Sequence, residues 1–165
     1  MSGNGITMMG LAMFGAFFSG CSFNLETKVD IQAPPSEVWK HLTNFDAYPK
    51  WNPFIKKIEG KLEKGAKLRV TIQACESDPM EFTPKVLKVE NEREFRWKGR
   101  VLMPGIFDGE HSFRIERLPG GASRLIQAEK FSGILVPFFK GMLKSKTRCG
   151  FEAMNKALKS RSEGR

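Results

Sequence analysis

Histidine, cysteine and tyrosine are all scarce: the 165 residues contain two, three and one of them respectively. Each shortage excludes something. His41 and His111 fall in different predicted elements, far from one another, so a zinc site is not expected, and no cofactor is implied. Three cysteines do not make a disulfide framework. A chain of this length can instead bury enough apolar surface to stand as one domain without disulfides. Cys75 falls on the polar parity of its strand and Cys149 on the apolar side of a helix. A bridge between them is therefore not expected, and Cys149 reads as a small core residue. No Ser/His/Asp pattern or activated-cysteine setting appears, so covalent catalysis has no visible nucleophile. Acidic residues are in deficit too, 18 against 27 Lys and Arg, for a formal net charge of +9.

The positive excess is concentrated. Between Lys140 and Arg165 eight basic residues stand against Glu152 and Glu163. A second cluster comprises Lys56, Lys57, Lys61, Lys64, Lys67 and Arg69. Such fields serve either as solvated faces or as attractants for anionic surfaces. No nucleic-acid-binding motif accompanies the charge, so a nucleic-acid partner gains no support, while an anionic membrane surface stays open as a partner.

Residues 1–21 contain no charge at all. The stretch from Ile6 to Phe18 is apolar and ends at Phe18-Ser19-Gly20-Cys21, the layout of an export signal whose cysteine is lipidated after cleavage. The run is short and glycine-rich for a membrane-spanning helix. Residues 1–21 are thus expected to be a lipoprotein signal or hydrophobic leader, with lipidation at Cys21 and a membrane-anchored place in the cell envelope. A cytoplasmic protein with a leader of another kind is the alternative.

No internal repeat, low-complexity tract or linker interrupts residues 22–165, which read as one domain. Leu25 to Ile31 alternates as a half-buried strand. Pro35 suits a helix's first turn, and Val38, Trp39 and Leu42 give that helix an apolar side. Strands are predicted near Phe54–Glu59, Leu68–Cys75, Phe82–Val89, Glu94–Val101, Phe107–Leu118 and Arg124–Leu135, joined by short turns typical of antiparallel neighbours. Parity breaks at Val86-Leu87, which predicts a bulge. From Leu135 onward the period changes. Phe138, Phe139, Met142, Cys149, Met154 and Leu158 recur at three- and four-residue steps, predicting a helix from about Val136 to Lys159. One long amphipathic helix against one antiparallel sheet is an α+β solution.

Four motifs add to this reading. The chain passes from Ile31 through Trp39 to Trp51-Asn52-Pro53-Phe54, then Gly109-Glu110-His111-Ser112-Phe113, then Gln127-Ala128-Glu129-Lys130-Phe131-Ser132-Gly133. It closes with Gly150-Phe151-Glu152-Ala153-Met154-Asn155-Lys156-Ala157-Leu158-Lys159. In this order they resemble the START-like, or Bet v 1-like, helix-grip domains, in the branch that includes polyketide cyclase-like proteins. The resemblance implies a curved antiparallel sheet wrapped around a long C-terminal helix with a hydrophobic cavity between them. It also implies a hydrophobic small molecule or lipid as the bound partner.

Strand parity gives the inward side chains: Leu68, Val70, Ile72 and Ala74; Phe95 and Trp97; Phe107, Gly109, His111, Phe113 and Ile115; Leu125, Gln127, Glu129, Phe131 and Gly133. Apolar walls with few polar groups suit a small-molecule pocket, although a filled core has the same composition. The candidate ligand-binding residues are Trp51, Trp97, Phe107, His111, Phe113, Glu129, Phe131, Phe139 and Met142. His111 and Glu129 come out as cross-strand neighbours. They read either as a satisfied buried polar pair or as a general acid–base pair. Three functions therefore follow: binding or transport of a hydrophobic molecule; a polyketide cyclase/dehydratase-like enzyme using His111 and Glu129; and a basic peripheral protein recruited to anionic membranes. With only three inward polar groups, the first leads.

Overall fold

The computed structural model describes residues 22–101 and 103–164, so the leader and Cys21 lie outside the described residues. The chain opens with β1 (Ser22–Ile31), which turns Leu25, Thr27 and Ile31 inward. Pro35 starts α1 (Pro35–Thr43), where a missing N–H is harmless, and α1 buries Val38 and Leu42. After one 3₁₀ turn and the short α2 (Tyr48–Trp51), Asn52 redirects the chain. Its Oδ1 accepts hydrogen bonds from the backbone N–H groups of Phe54 (2.9 Å) and Ile55 (2.8 Å), an Asx turn that launches the next strand.

β2 (Ile55–Glu59), β3 (Arg69–Ile72) and β4 (Met80–Phe82) form a three-stranded antiparallel sheet. β5 (Lys85–Glu90), β6 (Glu94–Val101), β7 (Phe107–Arg117) and β8 (Ser123–Ser132) join β1 in a five-stranded sheet of order β1-β8-β7-β6-β5. The single strand predicted over 82–89 is thus divided between the two sheets. Pro84 stands at the division, where its lack of an N–H interrupts a ladder. A bridge between Lys67 and Lys85 spans the seam. The predicted bulge is present, as the β5–β6 register shifts between Val86 and Lys88. Asp108, on the strand parity opposite to His111, is nonetheless buried and ion-paired with Lys98 (3.2 Å) and Arg100 (3.6 Å).

The chain ends in α3 (Val136–Ser162), which lies across the sheet. Its buried residues run Gly150, Phe151, Met154, Asn155, Leu158 and Ser162, one stripe of the C-terminal half, with Val136 at the start. Asn155 Nδ2 donates to Thr27 Oγ1 (2.9 Å) and fixes the helix to β1. The turn at Asn52 meets this stripe: Phe54 packs edge-on against Phe151 with ring centroids 5.5 Å apart. A Cβ on Gly150 would stand 2.2 Å from the Phe54 ring, so only glycine admits the turn this closely.

The two cysteines expected to stay apart are joined. Cys75 and Cys149 form a disulfide with Cα atoms 6.0 Å apart, and Cys149 is exposed rather than part of the core. The parity argument fails because β3 ends at Ile72 and the chain turns, with Glu76 at positive φ, which frees Cys75 from strand alternation. Lys146 Nζ donates to Glu76 O (2.9 Å) and Ser77 Oγ (3.0 Å), so the β3–β4 connection is held to α3 twice.

Two stability predictions follow from these contacts. Gly150→Ala should destabilise the fold by about 1–3 kcal/mol through overpacking against Phe54, although alanine is the better helix former; denaturant titration reads the loss. Cys149→Ser removes a cross-link spanning 74 residues. It should lower stability by about 2–4 kcal/mol, with the thiol-reduced parent showing the same shift.

Candidate functional site: a buried imidazole and its carboxyl partner

Register places the polar residues. His111 on β7 stands directly opposite Glu129 on β8 and directly opposite Trp97 on β6. The imidazole is sandwiched between two parallel rings: Phe113 from its own strand (4.3 Å) and Phe151 from α3 (4.8 Å). Trp97 meets it edge-on at 5.3 Å. His111 is therefore 2% exposed and fully enclosed by aromatic carbon, with hydrogen bonds only at its two ring nitrogens.

Those hydrogen bonds set the proton position. Gln127 Nε2 lies 3.1 Å from His111 Nε2 and 3.6 Å from Met154 Sδ. An amide NH₂ only donates, so Nε2 accepts and the proton sits on Nδ1. That N–H donates to Glu129 Oε2 at 3.2 Å. Attraction to a carboxylate would favour the imidazolium, but burial opposes charge on both groups and burial wins. The His111 pKa is pushed down to about 3. That of Glu129 is pushed up to about 8, by burial first and by the nearby Glu110 charge second. At neutral pH the pair is therefore a neutral imidazole beside a largely protonated carboxyl group.

Glu129 stands at the edge of the enclosure, its side chain 12% exposed. Its second oxygen, Oε1, leans over Gly109; a Cβ there would approach it to 2.5 Å. Gly109 is thus the floor under the carboxyl group rather than part of an empty space. Beyond it, Phe107 and Phe131 lie 5.9 Å apart, and Phe131 stacks on Phe23 at 4.9 Å. Gln127 Oε1 is buried without a partner.

The nine expected ligand-binding residues divide into three groups. Trp97, His111 and Phe113 are in mutual ring contact, and Phe151 and Met154 fill the space they face. Glu129, Phe107 and Phe131 sit together at the open end of the same face. Trp51, Phe139 and Met142 are not brought to this cluster. Trp51 packs on Tyr48 at 5.0 Å, with its indole N–H buried and unpaired. Phe139 and Met142 are exposed on the N-terminal half of α3. Sequence reasoning put Gln127 on the inward face but gave it no role, and it passed over Phe151. Phe151 is four residues before Asn155 and seven before Leu158, a spacing that marks the buried stripe. Two surface depressions, one beside Asp30 and Arg124 and one along Glu90–Glu94 and Arg114–Arg117, include none of these residues. No cluster among the described residues could hold a metal ion.

A curved antiparallel sheet gripping a long C-terminal helix, with a polar pair enclosed in aromatic rings, defines a helix-grip domain. The chain belongs to the family described as polyketide cyclase/dehydrase and lipid transport, whose profile matches residues 22–163. Solved structures share the fold. The Zhui aromatase/cyclase from Streptomyces sp. R1128 is 16% identical with a TM-score of 0.71, over 87% of this chain and 94% of that one. A START superfamily protein from Mycobacterium smegmatis is 22% identical with a TM-score of 0.68, over 86% and 97%. Norcoclaurine synthase from Thalictrum flavum, solved with a transition-state analogue, is 14% identical with a TM-score of 0.68, over 87% and 96%. A search of curated proteins gave no match.

The buried pair makes stability depend on pH. In the unfolded chain Glu129 ionises near 4.5 and His111 near 6.5. As pH rises from about 4.5 to about 8, the folded protein holds a proton that the unfolded chain releases, so the Glu129 contribution falls. As pH drops from about 6.5 to about 3, the unfolded chain gains a proton that buried His111 refuses, so stability falls on that side also. Glu129→Gln keeps an acceptor for His111 Nδ1–H and loses the alkaline decline. The thermal midpoint of the variant should therefore gain on the parent between pH 5 and 8, as read by circular dichroism.

Proposed function

We propose that the domain binds an apolar small molecule bearing a hydrogen-bonding group, seated at the open end of the sheet–helix interior. Its apolar part lies against Phe107 and Phe131, and Glu129 reads its polar group. The observation that carries this reading is the Glu129 carboxyl group, held protonated at neutral pH and partly accessible at the edge of an aromatic enclosure. A protonated carboxyl offers a donor and an acceptor at once, which suits a hydroxyl or carbonyl on an otherwise apolar molecule. The orphaned Gln127 Oε1 one level deeper supplies a further acceptor for a bridging water. Family membership supports the same reading, since lipid transport is part of the family's description.

A second reading is favoured by the same carboxyl group. A pKa near the working pH is what general acid catalysis requires, so Glu129 could protonate a substrate carbonyl while neutral His111 holds it in place. The likeness to an aromatase/cyclase supports cyclase or dehydratase chemistry as this alternative.

We place the domain in the cell envelope, anchored through lipid on Cys21. The uncharged apolar leader supports this placement, and so does the Cys75–Cys149 bridge, because exposed disulfides persist in oxidising compartments.

Native mass spectrometry of protein from its own host should find a co-purifying apolar molecule. The purified domain should brighten the neutral dye phenylnaphthylamine and change Trp97 emission. Phe107→Arg should abolish dye binding while leaving the far-ultraviolet circular dichroism intact. A parent that neither carries a molecule nor binds the dye would overturn the binding reading. Turnover of an aromatic polyketide, lost in Glu129→Gln with dye binding retained, would establish the enzyme instead.

A further inference from the structure

Two glycines stand side by side on the inward face of the five-stranded sheet. Gly99 of β6 pairs directly with Gly109 of β7, two residues along from the Trp97–His111 pair. Each glycine has a different cover. A Cβ on Gly109 would meet Glu129 Oε1, whereas one on Gly99 would stand 3.0 Å from the Phe82 ring of β4. Directly opposed Cβ positions on one face of a sheet are about 5 Å apart, so the Phe82 ring and the Glu129 carboxyl group are neighbours. Gly99 is buried beneath that ring, while Gly109 is half-buried. Phe82 is therefore one wall of the mouth at which Glu129 is reached, and it comes from the other sheet.

The segment that carries Phe82 is lightly held. β4 is three residues long and pairs on one side only, with β3. No residue from 71 to 83 is buried; Ile72, Ala74 and Phe82 are half-buried against the core. Few buried contacts and a short ladder are the marks of a segment that opens locally. The tip of this arm is tied back by Gln73 N, which donates to Phe54 O, by Lys146, and by the Cys75–Cys149 bond. The last two ties run to α3, just before the Phe151 ring that stacks on His111. Cys149 is the exposed partner and Cys75 the half-buried one, so a reductant approaches the bond at Cys149.

We propose that residues 73–83 form a lid over the Glu129 mouth, latched by the Cys75–Cys149 bond and released when a dithiol reduces it. The role of the lid in ligand entry rests on the binding reading above. A thiolate of the dithiol attacks Cys149 Sγ, the S–S bond breaks, and Cys75 leaves as a thiolate that takes up a proton. The second thiolate of the reductant then displaces Cys149, so the dithiol ends as a disulfide and the protein gains two hydrogens with their electrons. With the bond broken, the tip keeps the Lys146 and Gln73 hydrogen bonds, and Phe82 leaves Gly99 without pulling any fully buried side chain from the core. Opening of this kind sets how fast a ligand enters and leaves.

The test uses the full chain carrying Cys21→Ser, which leaves one pair of cysteines, with phenylnaphthylamine as the probe. The protein is compared oxidised and reduced by dithiothreitol, at a temperature where circular dichroism shows both forms folded. Reduction should raise the dye's association and dissociation rates by about tenfold and leave its affinity within about threefold. Cys75→Ser with Cys149→Ser should match the reduced parent and ignore dithiothreitol. Phe82→Ala should show the same fast exchange of dye with the bond intact, an effect that a bridge serving only to brace the fold does not produce. Hydrogen exchange reads the lid without a ligand. Reduction should speed the amides of residues 73–82 by about tenfold or more and leave those of His111 and Phe113 unchanged. Equal dye rates in the oxidised and reduced protein, slow dye exchange in Phe82→Ala, or arm amides that ignore reduction would each overturn the latch. A dye that binds neither form, with the arm amides still released by reduction, would overturn the binding reading and support the latch.

Discussion

Everything in the domain depends on how the C-terminal half of α3 closes on the sheet, and that closure is an aromatic stack. Phe54, Phe151, His111 and Phe113 follow one another from the Asn52 turn through the helix into β7. Aromatic pairs at these distances contribute beyond the area they bury, and here they also fix the helix's rotation. Gly150 permits the approach, Asn155 locks the helix to Thr27, and the Cys75–Cys149 bridge holds it to the second sheet. With the helix so fixed, His111 is 2% exposed.

The chemistry of the site follows from that enclosure. An imidazole between two phenyl rings is kept neutral, and a carboxyl group at the rim is kept protonated. Burial leads in both, with the nearby Glu110 charge adding to the second, and it outweighs the mutual attraction of the charged forms. The site is therefore built from neutral hydrogen-bonding groups in an apolar wall, a character suited to apolar molecules with one polar handle.

The two halves of α3 do different work. Along the C-terminal half the sheet-facing stripe is Phe151, Met154, Asn155 and Leu158; along the N-terminal half Phe138 and Met142 lie on the outer face, and Lys140 lies on the inner one over Phe23 of β1. The change of face falls near the bridge, so the outward-facing half is held to the body of the protein.

The amino-acid pattern by itself determined the α+β class, the helix-grip family, the bulge at Val86-Leu87 and the opposition of His111 and Glu129. All of these rest on local periodicity or on short-turn registers, which are properties of neighbouring residues. Side-chain period in a strand is two, so Gly109, His111, Phe113 and Gln127 were legible as inward-facing. The pairing of Cys75 with Cys149 was not, because it depends on where β3 stops and how the following turn points. Nor was the position of Phe139 and Met142: a stripe of apolar residues shows that a helix is amphipathic, not how far the sheet beneath it extends. The protonation of Glu129 likewise belongs to the tertiary structure alone. The same carboxyl group in the unfolded chain is ionised at neutral pH, and only its burial between the strands and the helix, with the Glu110 charge nearby, makes the neutral form the stable one.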